Sequence, residues 1–362
     1  MDAGRADCRP DGVQSTGWRR VDTNAEDRGV EPSGRTLALE LVRVTEAAAL
    51  AAARWVGRGD KEAGDGAAVH AMRRVLATAD LDGVVVIGEG AKDQAPMLYD
   101  GERVGTGRGR RVDVAVDPVE GTSLLARGAP DAISVLGVAP RGTMWSPGPA
   151  FYMEKLVAGP AARDALHPAL LDAPVAGVLA VVAESLGKPV AELTVFVLDK
   201  PRHQARIAAI RAAGARVMLR TDGDVAGSLM AARGGGGVDL LMGIGGTPEG
   251  VIAACAVQAL GGAMLGRLAP QLPDEADAIR AAGIDVRRVL AADDLVASDD
   301  VFFAATGITD GVLLPGVRFT PAGATTVSLV MRGRSGTVRT VRAEHRADKV
   351  RELEAGLGSD GE

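Results

Sequence analysis

The sequence is poor in cysteine, in aromatic residues and in long apolar runs, and each shortage excludes a class of protein. Its two cysteines, Cys8 in a polar N-terminal stretch and Cys255 in an apolar one, do not make a disulfide framework and fit a reducing cytosol. No run of about 18 apolar residues lacks a charge, so no transmembrane helix is predicted. Acidic residues begin at position 2, so no signal peptide is predicted either. We therefore expect a cytoplasmic protein without a membrane partner.

The scarcity of aromatic residues also indicates how the core is built. Aromatic residues make up 3% of the chain and hydrophobic residues 47%, so the core must consist mainly of Ala, Val, Leu and Ile. Such a core suits helices packed on sheets, the arrangement of an α/β fold. The net charge of −6 gives no electrostatic case for a nucleic-acid partner. An acidic protein that handles phosphate must use local positive charge or a bound metal.

Composition divides the chain into four stretches. Residues 1–33 mix charges with Gly, Pro, Ser and Thr, which predicts a disordered N-terminal extension. Residues 34–180 read as an N-terminal α+β half that carries an acidic motif, and residues 181–342 as a C-terminal α/β half. Residues 343–362 form a polar tail.

Strands and helices alternate in the C-terminal half, which predicts a parallel sheet. The expected strands cover 193–198, 216–219 and 238–242. The expected helices cover 203–213, 224–232 and 248–260, with Asp224 as the cap of the second. Further strands are expected at 312–318 and, with a hairpin turn at Ser335-Gly336, over 325–341.

The most informative stretch is Val-Asp-Val-Ala-Val-Asp-Pro-Val-Glu-Gly-Thr at 112–122. An apolar strand delivers Asp117, a Pro turn follows, and Glu120 comes three residues after Asp117. Gly121 and Thr122 then open the next segment. Crowded carboxylates repel one another unless cations neutralise them, and hard divalent cations take oxygen ligands together with substrate phosphates. The stretch therefore indicates metal-assisted phosphate chemistry.

Three more carboxylates and a lysine extend this motif. Lys61 and Asp65 are spaced i, i+4 at the start of a predicted helix, whereas Glu89 and Glu249 follow strands. Open α/β sheets carry their ligands at such strand ends. Taken singly, Asp65 also fits a helix N-cap, Glu89 a solvated turn, and Glu249 a helix N-terminus that favours negative charge. The strand-end motif at 117–122 is not explained by capping alone.

Several segments have the donors that a phosphorylated sugar needs. Predicted helices begin at 121–122 and after 245–247, and the free backbone N–H groups there can bind an anion. Lys200-Pro201-Arg202 follows a strand and offers two cations that can bind a phosphate. An ordinary basic surface loop would have the same composition. Asp222-Gly223-Asp224 offers acceptors for sugar hydroxyls, or else a turn and a cap. Tyr152, one of two tyrosines in the chain, is a further candidate for substrate binding. The alternative is a tyrosine that packs in the core with its hydroxyl group hydrogen-bonded.

Together these motifs resemble those of one enzyme family. Asp117-Pro-Val-Glu-Gly-Thr122 resembles the Asp-Pro-x-Asp/Glu-Gly-Thr/Ser signature of the lithium-sensitive sugar and inositol phosphatases. Other segments are similar to those of the class II fructose-1,6-bisphosphatases, in the same order over about 36–342. They are 59–69, 87–90, 95–99, 152–155, 200–203, 222–226, 243–251 and 305–309. One departure is Ala91-Lys92-Asp93-Gln94, where the family usually has several acidic residues.

The resemblance implies a layered α-β-α-β-α fold and a site for divalent metal, Mn²⁺ or Mg²⁺. It implies that Asp65 and Glu89 hold one ion, and that Asp117, Glu120 and Glu249 hold another. The catalytic residues it implies are Thr122, Lys61 and Glu249. The substrate-binding residues it implies are Glu120, Gly121, Thr122, Tyr152, Lys200, Pro201, Arg202, Asp222, Gly223, Asp224 and Gly246.

The implied reaction is hydrolysis of the 1-phosphate of fructose 1,6-bisphosphate, a step of gluconeogenesis, by a homo-oligomer (dimer or tetramer). Two alternatives stay open at this point. The substrate is sedoheptulose 1,7-bisphosphate or an inositol phosphate in the first. In the second, the chain binds phosphorylated sugars without turning them over.

Overall fold

Two mixed β-sheets and the helices that cover them are described by a computed structural model over residues 36–88, 97–235 and 237–355. The predicted extension at 1–33 and the proposed metal ligand Glu89 lie outside the described residues. Most of the described helices and strands follow the predicted pattern.

The first sheet has eight strands and is built around β3 (Arg110–Glu120), the strand of the acidic motif. β1 (Leu81–Ile87) pairs with β3 in parallel, and β4 (Ile133–Pro140) pairs with its other side antiparallel. The remaining strands extend the sheet antiparallel, and they are β2 (Arg103–Val104), β11 (Phe302–Gly307), β12 (Arg318–Thr320), β13 (Gly323–Arg332) and β14 (Thr337–Arg346).

The second sheet has six strands, in the order β10-β9-β5-β8-β6-β7. Three of them pair in parallel, as the strand–helix alternation predicts: β6 (Thr194–Leu198) with both β7 (Arg216–Arg220) and β8 (Leu240–Gly246). The other three pair antiparallel, and they are β5 (Tyr152–Ala158), β9 (Ala263–Leu268) and β10 (Val289–Ala291). Each sheet draws strands from both sides of residue 180, and the predicted division there stays a prediction.

Three apolar clusters separate the layers. The first lies between the outer face of the eight-stranded sheet and two helices, α1 (Leu37–Ala53) and α2 (Lys61–Leu76). The second lies between the sheets, around α6 (Asp224–Arg233) and α7 (Thr247–Leu260). The third packs the six-stranded sheet against α4 (Val175–Leu186) and α5 (Gln204–Ala212). This is the layered α-β-α-β-α fold that the resemblance implies.

α7 is apolar on all sides because it lies between the two sheets. It contacts β4 and β11 of one sheet and β5 and β9 of the other. The packing is close: a Cβ added to Gly137 of β4 would lie 2.9 Å from Sγ of Cys255. The free thiol of Cys255 is therefore part of the core, and burial raises its pKa to about 12.

Short elements complete the described chain. The short helices α3 (Thr122–Arg127), α8 (Pro273–Ala281) and α9 (Ala292–Leu295) join strands, and α10 (Ala347–Ala355) follows β14. Short 3-10 turns cover Pro160–Ala165, Pro168–Leu171, Val190–Glu192 and Pro201–His203. In the described ranges every helix is too short or too polar to cross a bilayer.

Two predicted strands differ from the structure. The strand predicted at 238–242 instead covers Leu240–Gly246, because β5 pairs with it as far as Tyr152 and Gly246. The strand predicted at 312–318 is wrong: the chain turns where Gly311 N–H donates to the Leu314 carbonyl, and β12 begins only at Arg318. In both cases tertiary contacts, which the local pattern does not contain, decide the conformation.

Candidate active site

A bulge at the end of β3 brings Asp117 and Glu120 together. Residues three apart on a regular strand point to opposite faces. Here Asp117 pairs with Val135 and Glu120 with Ile133, so three steps along β3 match two along β4. The shift returns both carboxylates to one side, as bulges do at functional sites, and their side chains are hydrogen-bonded. Val119 N–H also donates to Asp117 Oδ1 at 3.1 Å.

Glu120 is a buried carboxyl group at the centre of the site. Its side chain is buried, and its Oε1 accepts a 2.5 Å hydrogen bond from the Val225 backbone at the N-terminus of α6. Burial first, and then three neighbouring carboxylates, raise the pKa of Glu120 to about 8, against the hydrogen bond from Asp117. The three neighbours are Glu249, Asp222 and Asp224. Four carboxylates therefore surround Glu120.

Two glycines turn the chain into the helices that flank Glu120. Gly121 (φ 94°) precedes α3, and Gly223 (φ 95°) precedes α6. Both conformations lie in the left-handed region that glycine adopts without strain. Thr122 is thus the first residue of α3. Asp224 is the first residue of α6 rather than its cap, which corrects the sequence prediction.

The last two residues of β8 let two carboxylates approach the backbone closely. A Cβ on Gly245 would lie 1.9 Å from Asp224 Oδ2, and one on Gly246 would lie 1.7 Å from Glu249 Oε2. Glu249 stands in the first turn of α7, where the helix dipole favours a negative charge. A side chain at either position would therefore displace the carboxylate beside it.

Arg202 is held in place before any substrate binds. Its Nε and Nη2 donate to the Ile244 carbonyl at 3.1 and 2.8 Å, and its guanidinium lies 5.2 Å from the Tyr152 ring centroid. His203 fixes the same segment: its Nδ1 lies 2.7 Å from the Leu198 carbonyl oxygen, and the Ile244 N–H donates to its Nε2. Burial lowers the pKa of His203, which favours the neutral ring that this pattern needs.

The predicted residues Lys61 and Asp65 both lie on α2. Asp60 caps that helix by accepting from Ala63 N–H, so the alternative of Asp65 as the cap is wrong. Lys61 is largely exposed and pairs with Glu62 at 3.0 Å. The helix packs against α3, since a Cβ on its Gly64 would lie 2.5 Å from Leu125.

Comparison with known proteins identifies the family. Residues 35–345 match the model of a family described as bacterial fructose-1,6-bisphosphatase, glpX-encoded. A protein of Escherichia coli K12 named fructose-1,6-bisphosphatase 1 class 2 is 47% identical over 328 residues, which are 87% of this chain and 96% of that protein. Proteins of Escherichia coli O6:H1 and Shigella flexneri named fructose-1,6-bisphosphatase class 2 show the same identity and coverage.

The chain belongs to the class II fructose-1,6-bisphosphatase family. Several residues from the motifs that carried the resemblance lie close together. Glu120 is near Asp117, Glu249, Asp222 and Asp224, and Gly246 is opposite Tyr152 in the sheet. Lys200 and Arg202 follow β6 in the same sheet. Thr122 follows Gly121 as the first residue of α3, and Lys61 and Asp65 lie on α2, which packs against α3.

The donor chemistry of this class II fructose-1,6-bisphosphatase site fits a divalent cation. Its carboxylate oxygens are the ligands that Mg²⁺ and Mn²⁺ prefer, and burial together with repulsion from its neighbours raises the pKa of Glu120. Within the described ranges no three acidic, His or Cys side chains are arranged to hold an ion as they stand. The predicted ligand Glu89 lies outside those ranges.

One residue of this class II fructose-1,6-bisphosphatase site was missing from the predicted set. Lys155 is fully buried and donates hydrogen bonds to Asp224 Oδ2 and to the Gly246 carbonyl. Its position, three residues after Tyr152 and directly before the apolar run Leu156–Ala158, was the available signal. The sequence does not reveal that its partners are two other residues of the site.

Proposed function

We propose that this protein hydrolyses the 1-phosphate of fructose 1,6-bisphosphate to fructose 6-phosphate and phosphate. The observation that carries the proposal is the buried carboxylate of Glu120, surrounded by Asp117, Glu249, Asp222 and Asp224 at the N-terminus of α6. Membership of the family supplies the substrate. The same family membership supports a sugar bisphosphate over an inositol phosphate.

The residues that would hold the metal are the acidic ones. Asp117, Glu120 and Glu249 would hold one divalent ion, and Asp65 with Glu89 a second. When bound, such ions neutralise phosphate oxygens and lower the pKa of a bound water. We take the metal to be Mn²⁺ or Mg²⁺, because both accept carboxylate oxygens.

The remaining site residues would orient the reacting groups. Thr122, at the start of α3, would hydrogen-bond the attacking water or the transferring phosphoryl group. Lys61 would act nearby as an electrostatic or proton-relay partner. Phosphoryl transfer depends mainly on positioning and on electrostatic stabilisation, which these residues would supply.

The second phosphate would be bound away from the reacting one. Arg202 uses two N–H groups on the Ile244 carbonyl and stacks on Tyr152, so its guanidinium is already oriented. Lys200 precedes it by two residues and adds a second cation. Together they would bind the 6-phosphate and so select a bisphosphate, while Asp222 to Asp224 and Gly246 would face the sugar.

A metal-screened phosphate-release assay tests the proposal. We expect release from fructose 1,6-bisphosphate with Mn²⁺ or Mg²⁺ and none after chelation. Glu249→Gln and Asp117→Asn should nearly abolish turnover while thermal unfolding remains cooperative. Glu184→Gln, at an exposed position on α4, is the matched control and should keep full activity.

The same assay distinguishes the alternatives. A higher kcat/KM for sedoheptulose 1,7-bisphosphate or for an inositol phosphate would replace the proposed substrate. Tight binding of fructose 1,6-bisphosphate without release under every metal would instead make the chain a sugar-phosphate binding protein. We further propose that the protein acts in the cytoplasm as a homo-oligomer, which light scattering of the purified chain would test.

A further inference from the structure

Lys155 is the charged member of an otherwise apolar row on β5. Met153 and Val157, two residues to either side, face the central helices and are fully buried. The Lys155 side chain is 0% exposed. An ammonium group in such a place is strongly unfavourable unless partners replace its water. Its partners therefore indicate why a lysine is tolerated there.

The side chain of Lys155 touches three elements that carry the proposed site. Its Nζ donates to Asp224 Oδ2 at the start of α6, and to the Gly246 carbonyl at the end of β8 at 2.6 Å. Its Cε lies 3.7 Å from the place where a Cβ on Gly250 of α7 would be. One buried cation thus connects the segment of Asp222 to Asp224 with the segment that leads into Glu249.

The carboxylate of Asp224 is fixed from two sides. Oδ2 is bonded to Lys155, and the same oxygen lies against the backbone of Gly245, where no Cβ would fit. Asp224 is the first residue of α6 and does not cap that helix. The N-cap position is occupied by Gly223, which has no side chain to form a cap. The orientation of this carboxylate is therefore set by Lys155 and the glycine, and not by its own helix.

We propose that Lys155 is a positioning residue for sugar binding. It holds Asp224 in the orientation in which the carboxylate accepts a hydrogen bond from a hydroxyl group of the sugar. The inference rests on the proposed function, in which Asp222 to Asp224 face the sugar. It predicts that Lys155 affects substrate affinity only through Asp224, and leaves the chemical step nearly unchanged at saturating substrate.

The test compares Lys155→Met, Asp224→Asn and the double variant in the full-length chain with saturating Mn²⁺. KM and kcat for fructose 1,6-bisphosphate and the thermal midpoint are measured for each. Each single variant is expected to raise KM about tenfold, the usual effect of losing one charge-assisted hydrogen bond, with kcat within about threefold. Each should also lower the thermal midpoint, because it leaves one buried partner of an ion pair alone.

The double variant separates positioning from a merely structural role. Removing both charges should restore much of the thermal midpoint, whereas KM should stay as high as in Asp224→Asn alone. A double variant in which KM returns to the wild-type value would overturn the inference, since Lys155 would then serve only stability. A KM equal to the product of the two single effects would also overturn it, because Lys155 would then act independently of Asp224.

Two further variants keep the test decisive. Lys155→Gln, which keeps an N–H donor, replaces Lys155→Met if the latter does not fold. Lys188→Met breaks an ion pair with Asp239 on the surface, at 2.5 Å, and should leave KM unchanged. Absence of hydrolysis by the wild type would refute the proposed function alone. In that case calorimetry measures the dissociation constant of fructose 6-phosphate for the wild type and each variant, and these constants are compared in place of the KM values.

Discussion

Arg220 Nε donates a 2.7 Å hydrogen bond to Asp131, which joins the end of β7 to the segment after α3. The Asp131 side chain is 2% exposed, and its other oxygen accepts from Val312 N–H at 2.6 Å. β7 leads directly into Asp222, and α3 begins with Thr122. The contact therefore ties together two segments that carry proposed site residues.

Loss of this contact should destabilise the fold. We expect Arg220→Met to lower the free energy of unfolding by about 2–3 kcal/mol, because the buried carboxylate of Asp131 loses its cation. Urea unfolding measures the change. Arg318→Met is the matched control, since its ion pair with Asp310 is exposed on both sides and should change stability by less than about 1 kcal/mol. Equal losses in the two variants would contradict the assignment.

The glycines at the end of β8 should not tolerate alanine. Gly245→Ala and Gly246→Ala place a Cβ within 2 Å of Asp224 and Glu249, as the 1.9 and 1.7 Å distances show. We expect Gly246→Ala to lower kcat about hundredfold, the typical effect of displacing a catalytic group by about 1 Å. Gly245→Ala should instead raise KM about tenfold, because the displaced Asp224 is proposed to bind the sugar. Gly177→Ala on α4 meets no atom within 4 Å and should keep full activity. A normal kcat in Gly246→Ala together with a normal KM in Gly245→Ala would show that these carboxylates do not take part.

Replacement of Arg202 should act on substrate affinity. We expect Arg202→Ala to raise KM for fructose 1,6-bisphosphate about tenfold to hundredfold with kcat nearly unchanged, because a charge-assisted contact to the distal phosphate is lost. Arg202→Lys should not restore KM, since an ammonium cannot hold the Ile244 carbonyl and stack on Tyr152 in the same way. Arg211→Ala, exposed on α5, the helix that follows Arg202, is the control. A collapsed kcat with unchanged KM would refute this role.

Glu120 should make the metal-free protein sensitive to rising pH. Folding raises the pKa of Glu120 from 4.5 to about 8, so the folded state favours the protonated form. Its stabilisation is complete below about pH 4.5 and is lost as the pH rises through about 8. In chelator-treated protein, we expect the thermal midpoint to fall from about pH 6 to about pH 9 more steeply in the wild type than in Glu120→Gln. Added Mn²⁺ should reverse the fall, because it binds the deprotonated carboxylates.

If the thermal midpoints of the wild type and of Glu120→Gln fall equally with pH, groups other than Glu120 cause the loss of stability. If added Mn²⁺ restores the thermal midpoint of both proteins equally, the ion does not bind to Glu120.

The sequence predicted residue types of the site better than their geometry. Asp117 and Glu120 are recognisable from their spacing, yet only the bulge against β4 places them on one side. A bulge depends on the partner strand, which the local pattern does not specify. Likewise, the strand predicted to end at Met242 continues to Gly246, because Gly243, Gly245 and Gly246 pair with β5.

Contacts between distant segments account for the other differences. An Asp at position 224, at the start of a predicted helix, favours a helix cap. Its side chain instead accepts a hydrogen bond from Lys155, which lies 69 residues away in the chain. The turn at Gly311 and Leu314 replaces a predicted strand for a similar reason, because Val312 N–H donates to the side chain of Asp131, which lies 181 residues away in the chain. Helices α5 and α6, by contrast, were predicted within about two residues of their observed ends.

The central position of α7 has a consequence for motion. Its side chains pack against strands of both sheets, and its first turn carries Glu249. One sheet therefore cannot slide over the other without displacing that carboxylate. Domain closure between the sheets is thus an unsuitable way to admit substrate, and opening must occur in peripheral segments. The amide protons of α7 should accordingly be among the slowest in the molecule to exchange with deuterium.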